Sequence, residues 1–207
     1  MTETTNKEKL PLMMYVHGFM SGANGAKQKQ LQKIFEGRYA VIAPELDGDP
    51  DKSLALLNEV IREEKPEVII GTSLGGWMTV MCESGDAKLI LVNPCTYPPG
   101  EIDHLKDQPL KYFCKRLDGA KTYILTQETL DLYKKYDFEK AAAEKVDRIW
   151  ALCSSADELL HDNHIKALTG KLPAERFVIV DDFGHQCKDA GLQHLQELIE
   201  KAIKKTE

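Results

Sequence analysis

Val68-Ile69-Ile70-Gly71-Thr72-Ser73-Leu74-Gly75-Gly76 begins as a strand and ends as a helix. Its opening residues are apolar and β-branched, as in a buried parallel strand. The next five, Gly71-Thr72-Ser73-Leu74-Gly75, match G-x-S-x-G, and the stretch from Leu74 to Glu83 has helical periodicity. A strand that turns so sharply into a helix leaves Ser73 at a strained apex, where close neighbours must lack colliding side chains. Gly71, Gly75 and Gly76 meet that need. The same turn puts Ser73 at a helix N-terminus, with the backbone N–H of Leu74 directed at any oxyanion that forms there. A glycine-rich turn with an N-capping serine would satisfy the five-residue pattern by itself. The flanking strand and helix are what point to a nucleophile.

Outward from this turn, strand and helix alternate. Apolar runs at Leu12 to Val16, Tyr39 to Ala43, Glu67 to Ile70, Lys88 to Val92, Arg148 to Cys153 and Arg176 to Val180 predict six strands. Helical periodicity occupies Gln28 to Phe35, Lys52 to Glu64 with Leu54, Leu57 and Ile61 on one face, Leu74 to Glu83, and His194 to Ile203. Alternation with strands apolar on both faces predicts a doubly wound α/β fold: a mainly parallel, six-stranded sheet with helices on both faces and right-handed crossovers. The rhythm breaks between Asn93 and Val146. A Pro-rich bend, Pro94 to Gly100, opens this interval; Thr122 to Leu125 is a weak strand candidate, and Gln127 to Lys145 reads as charged and helical. The expectation is a cap or lid insertion at about 94–145, within a single domain spanning 1–207.

A serine hydroxyl needs a base, and the base needs a carboxylate that fixes its tautomer. His185, in Asp182-Phe183-Gly184-His185, follows the last strand and precedes the last helix, so it emerges at the same sheet edge as Ser73. His161 and His164 fall in a polar helical stretch and read as surface residues, and His104 and His194 lack a strand-end position. Asp157 follows the fifth strand and gives the chain order Ser, Asp, His expected of α/β hydrolases. Glu158 is adjacent and can substitute for it, and Asp181 and Asp182 lie close to His185 in sequence. An oxyanion hole takes a second N–H from the loop after the first strand. Here that loop is His17-Gly18-Phe19-Met20-Ser21-Gly22, with Phe19 as the donor beside Leu74 and His17 as a brace. Phe19, Trp77, Tyr97, Tyr112 and Phe113 are candidate pocket aromatics and equally candidate core.

The 207 residues are 43% hydrophobic with a net charge of -6, enough for one substantial core and without the basic footprint that nucleic acid or an anionic membrane surface selects. The segment Met1 to Lys9 is polar, with no signal-peptide core, and no run reaches membrane-spanning length, so a cytoplasmic protein is expected. Its five cysteines include no C-x-x-C pair. They read as reduced thiols, Cys82 and Cys153 in the core and Cys187 near His185. No metal or organic cofactor is called for, a small-molecule ester is the expected partner, and nothing indicates an oligomeric state.

His17-Gly18-Phe19, the Gly71 to Gly76 turn, Leu91-Val92-Asn93-Pro94 and Phe183-Gly184-His185 together make the chain resemble the YqiA-like small bacterial esterases of the α/β-hydrolase superfamily. That resemblance spans nearly the whole chain and implies carboxylic-ester hydrolysis with Ser73, Asp157 and His185 as a triad. The long 94–145 segment departs from the compact pattern. A thioesterase or a small-peptide hydrolase would use the same residues, and a ligand-binding protein that had lost turnover would keep the scaffold.

Overall fold

All six apolar runs form strands, and all six pair in parallel. The computed structural model describes residues 10–204, so the expectation for Met1 to Lys9 lies outside it. In chain order the elements are β1 (Leu12–Val16), α1 (Ala26–Ile34), β2 (Ala40–Ile42), α2 (Pro50–Glu64), β3 (Val68–Thr72), α3 (Leu74–Met81), β4 (Lys88–Val92) and α4 (Pro98–Ile102). There follow β5 (Pro109–Lys111), β6 (Thr122–Ile124), α5 (Gln127–Tyr133), α6 (Phe138–Glu144), β7 (Ile149–Ser154), α7 (Asn163–Leu168), β8 (Phe177–Val180) and α8 (Ala190–Lys204). The six-stranded sheet has the order β2-β1-β3-β4-β7-β8. The chain leaves β1 toward one edge and returns to β3 on the other side of β1. The loops after β1 and β3 therefore diverge at a switch point, where open α/β sheets place their ligands.

The period of two along each strand divides the core. Met14, Val16, Ile69, Leu89, Leu91, Ile149 and Ala151 face one side, where Leu54, Leu57 and Ile61 of α2 and Trp77 and Met78 of α3 cover them. Met13, Tyr15, Val68, Ile70, Ile90, Trp150 and Leu152 face the other, under Leu31 of α1 and Leu195, Leu198 and Ile199 of α8. α2 starts where the sequence supplies a cap: the Asp49 carboxylate accepts hydrogen bonds from the N–H groups of Asp51 (2.9 Å) and Lys52 (3.2 Å), with Pro50 in the first turn.

The 94–145 segment adds α4, α5, α6 and an antiparallel β5–β6 hairpin in which Leu110 pairs with Tyr123. The weak strand candidate at 122–125 is thus β6, but it pairs within the segment and not with the main sheet. The charged stretch from Gln127 to Lys145 is two helices, because Asp137 accepts from the Lys140 N–H (3.0 Å) and caps a new start. Leu125, Leu130, Tyr133, Phe138 and Ala142 reach the same core as α2 and α3. The Tyr133 and Tyr136 rings pack edge-on against Trp77, at 5.1 and 5.3 Å between centroids. Among the described residues no helix is long and apolar enough to cross a membrane.

α3 lies so close to β1 that a Cβ on Gly75 would land on the carbonyl oxygen of Val16. Backbone cannot move aside as a side-chain tip can. We expect Gly75→Ala to cost about 3 kcal/mol, read as a fall in thermal midpoint of roughly 6–12 °C for a chain of this size. A midpoint within about 2 °C of wild type would show that the helix shifts freely.

Candidate active site

Ser73 sits between β3 and α3 with φ 53° and ψ -123°, a region that costs a residue with a side chain about 1–3 kcal/mol. The surroundings fix it there. Its N–H donates to the Val92 carbonyl (3.0 Å), and its own carbonyl accepts from the N–H groups of Gly76 (2.9 Å) and Cys95 (2.9 Å). The Ser73 side chain makes no capping hydrogen bond to α3, so the serine is not spent on closing the helix end.

His185 lies in the loop after β8. Its Nδ1 is 2.8 Å from Asp157 Oδ2 and 3.0 Å from Oδ1. Asp157 is held in turn, its Oδ1 accepting from the N–H groups of Leu159 (2.9 Å) and Leu160 (2.8 Å). Its side chain is fully shielded from solvent, while that of His185 is 12% exposed. Burial pushes the Asp157 pKa up, but the hydrogen bonds from His185, Leu160 and Leu159 outweigh burial and hold it below the usual value. Of the acids that the sequence offers, Asp157 meets the imidazole. Glu158 instead accepts from the backbone N–H of His185 (2.8 Å), Asp182 pairs with His194 (2.9 Å), and Asp181 is exposed.

The histidine loop is tied to the sheet by Asn93, the residue after β4. The Asn93 side chain donates to the carbonyls of Gly184 (3.4 Å) and His185 (3.3 Å) and accepts from the Ser154 N–H (2.8 Å). Ser154 Oγ donates to the Phe183 carbonyl, and the Lys27 amine to the carbonyl of Cys187. Since Val92 holds Ser73 and Asn93 holds His185, consecutive residues of one strand end position both. From sequence Asn93 is only part of a strand-end motif, and its role shows only once β7 pairs with β4 and β8 with β7.

The loop after β1 lies against the turn. A Cβ on Gly18 would stand 3.2 Å from the Cβ of Ser73 and 3.8 Å from its Oγ. His17 Nδ1 donates to the Gly18 carbonyl (3.0 Å), and its Nε2 accepts from the Leu46 N–H (3.2 Å), so the ring braces the loop. Leu74 is the first residue of α3, so its N–H has no acceptor within the helix. Beside these residues lies a narrow pocket of about 20 Å³, lined by Phe19, Leu46, Leu74, Met78, Tyr112, Arg116 and Tyr123. Glu45 fastens its Arg116 side. Its carboxylate is 3.1 Å from the Arg116 guanidinium and accepts from the N–H groups of Ala23 (3.1 Å) and Leu117 (2.7 Å). Neither Glu45 with Arg116 nor Tyr123 was singled out from sequence. Trp77 is core, and Tyr97 and Phe113 are exposed, leaving Phe19 and Tyr112 as the predicted aromatics in the wall.

His164 corrects an expectation. It is not on the surface but 1% exposed, with neither ring nitrogen hydrogen-bonded, and burial lowers its pKa. Cys82 and Cys153 are core as expected, and Cys187 is buried in the histidine loop. Among the described residues no cluster of three or more His, Cys, Asp or Glu side chains is arranged to hold a metal ion.

A model of the Uncharacterised protein family (UPF0227) matches residues 12–202. The chain belongs to that family. The resemblance drawn from the His17, Ser73, Asn93 and His185 motifs is therefore borne out. No curated protein matches this UPF0227 member. Among solved structures it is similar to Est1E from Butyrivibrio proteoclasticus, with 19% identity, 96% of this chain and 90% of that one covered, and a TM-score of 0.74. It is also similar to the mouse alpha/beta hydrolase domain-containing protein 10 (15% identity, 96% and 92% covered, TM-score 0.70) and to a monoacylglycerol lipase from Paleococcus ferrophilus (13% identity, 95% and 96% covered, TM-score 0.65). At such identities the likeness shows the fold, which is that of the α/β hydrolases.

Burial raises the Glu45 pKa, but its neighbours His17, Leu117, Ala23 and Arg116 outweigh burial and bring it below the ordinary value. A depressed folded pKa stabilises fully above the unfolded carboxylate value, about 4.3, and the benefit fades as the pH falls through the folded value. Glu45→Gln should therefore lower the thermal midpoint at pH 7, by an amount corresponding to about 2–3 kcal/mol. Melts from pH 7 to pH 3 should show the gap to wild type closing below about pH 4.3. A gap that widened on acidification would contradict this account.

Proposed function

We propose that this UPF0227 protein is a serine esterase that cleaves small carboxylic esters through an acyl-enzyme on Ser73. The observations that support it most are the strained Ser73 at the strand-to-helix apex and, at the loop after β8, a buried Asp157 bonded to the ring of His185. A side chain that closes no helix end, held at a conformational cost, is suited to reaction more than to structure.

In this reading Ser73 Oγ attacks the ester carbonyl while His185 Nε2 takes its proton. Asp157, bound to the opposite ring nitrogen, sets the tautomer and stabilises the imidazolium that forms. The N–H groups of Phe19 and Leu74 donate hydrogen bonds to the developing oxyanion. As the tetrahedral species collapses, the carbon–oxygen bond to the leaving group breaks and His185 returns the proton to the departing alcohol. Water then attacks the acyl-enzyme with His185 as base, releasing the carboxylic acid and restoring Ser73. The 94–145 segment would act as a lid through its β5–β6 hairpin, and five free cysteines fit a reducing cytoplasm.

Hydrolysis of p-nitrophenyl butyrate, together with labelling by a fluorophosphonate, tests the proposal. Ser73→Ala should abolish labelling and lower kcat by about 10³-fold or more, and Asp157→Asn should lower it by about 10³–10⁴-fold with the fold intact. A wild-type protein that neither turns over esters nor takes the label would overturn the esterase reading and favour a ligand-binding role.

A further inference from the structure

We infer that Arg116, in the connection between β5 and β6, is a positioning residue for the oxyanion hole: its forked guanidinium fixes the loop after β1 that carries the Phe19 N–H. The inference rests on the esterase reading and deepens it, since Arg116 belongs neither to the triad nor to the two donors.

The Phe19 N–H shares a planar trans peptide unit with the Gly18 carbonyl. The two point in opposite directions, so whatever holds the carbonyl aims the donor. Two groups hold it, His17 Nδ1 (3.0 Å) and the Ser21 N–H (3.3 Å). The donor is therefore aimed only while Ser21 keeps its place. The turn that leads to Ser21 does not support itself, because Met20 has φ 57°, a left-handed conformation uncommon for a residue with a side chain. Such a backbone persists only where its surroundings over-determine it.

Those surroundings come from the hairpin. Arg116 Nη1 donates to the Ser21 carbonyl (3.3 Å) and lies 3.1 Å from Glu45 Oε1, the same oxygen that accepts from the Ala23 N–H (3.1 Å). The Phe113 N–H donates to the Met20 carbonyl (2.8 Å). Gly22 lets the loop approach closely: a Cβ there would stand 2.7 Å from Glu45 Oε1 and 3.3 Å from the Arg116 side chain. Asp118 takes the other edge of the guanidinium, from Nη2 (2.6 Å) and Nε (3.1 Å), and the Tyr112 ring centroid lies 4.4 Å from its central carbon. Arg116 is 5% exposed and its charge is matched by two carboxylates, an arrangement suited to holding backbone and not to binding a substrate anion. A lysine ammonium, a single point charge, cannot grip Glu45, Asp118 and the Ser21 carbonyl in one fixed plane.

Kinetics with p-nitrophenyl butyrate, inhibition by an alkyl trifluoromethyl ketone and thermal melts test this together. The ketone reports on the hole directly. Ser73 Oγ bonds to its carbonyl carbon, the carbonyl π pair moves onto oxygen, His185 takes the serine proton, and the resulting oxyanion occupies the hole. Arg116→Gln should lower kcat by about 10–100-fold with KM within roughly twofold of wild type, and should weaken ketone inhibition by about the same factor as kcat. Arg116→Lys, which keeps the charge without the fork, should fall between wild type and Arg116→Gln in both readings. A substitution that merely loosened the hairpin would lower the melting midpoint without moving kcat and ketone inhibition in parallel at temperatures well below it. Should Arg116→Gln fail to fold, Arg116→Lys decides. Folded variants with wild-type kcat and ketone inhibition, or with a raised KM alone, would overturn the role of Arg116 and leave the esterase reading standing. A wild type without turnover and without fluorophosphonate label would overturn both.

Discussion

The peptide units on either side of Ser73 are bonded to the end of β4 and to the start of α3, and the rest of the site hangs on those bonds. The Val92 carbonyl takes the serine N–H, and the serine carbonyl takes the N–H groups of Cys95 and Gly76. An unfavourable backbone conformation persists only where surrounding contacts over-determine it. Here they consist of β3–β4 pairing in register, Thr72 opposite Val92, together with a helix that can approach β1 because Gly75 has no side chain. The strain at one residue is thus offset by the cohesion of a sheet whose two faces are both buried.

The same strand end fixes the histidine. Asn93 bridges three segments, accepting from β7 and donating twice to the loop after β8. Glu158 and Asp157 divide the labour on His185, one holding its backbone N–H and the other its ring. A loop residue positioned by three different side chains, those of Asn93, Asp157 and Glu158, is placed with the precision of a strand residue, which general acid–base chemistry requires.

The sequence was most legible where burial leaves a periodic trace. The six strands showed because parallel strands covered on both faces are apolar throughout, and Ser73 and His185 showed because each stands at a strand end. The β5–β6 hairpin was nearly invisible: its strands have three residues each and alternate exposed and partly buried positions, so they lack a continuous apolar run. The sequence favours Asp157 and leaves Glu158 as a substitute, since neighbouring carboxylates on one loop differ only in the direction in which the backbone turns them. His164 was misplaced because α7 is six residues long, too short for its inward face to be told from its outward one. Glu45 and Arg116 are far apart in the chain, and nothing local marks them as a pair.

Between the end of β4 at Val92 and the start of β7 at Ile149, the chain makes its longest excursion from the sheet, and β7 returns directly beside β4. Closing such a loop costs entropy that grows only with the logarithm of its length, about 0.6 kcal/mol for each doubling. The excursion contains the residues that form the outer wall of the pocket, while the turn at Ser73 and the loop of His185 lie outside it. Changes of length in the β5–β6 hairpin alter what the protein encloses at little thermodynamic penalty to the sheet, because the excursion's buried core residues lie at Leu125 and in α5 and α6. Within this architecture the shape of the binding wall can drift under selection far faster than the backbone geometry at Ser73 and His185 that would perform the chemistry.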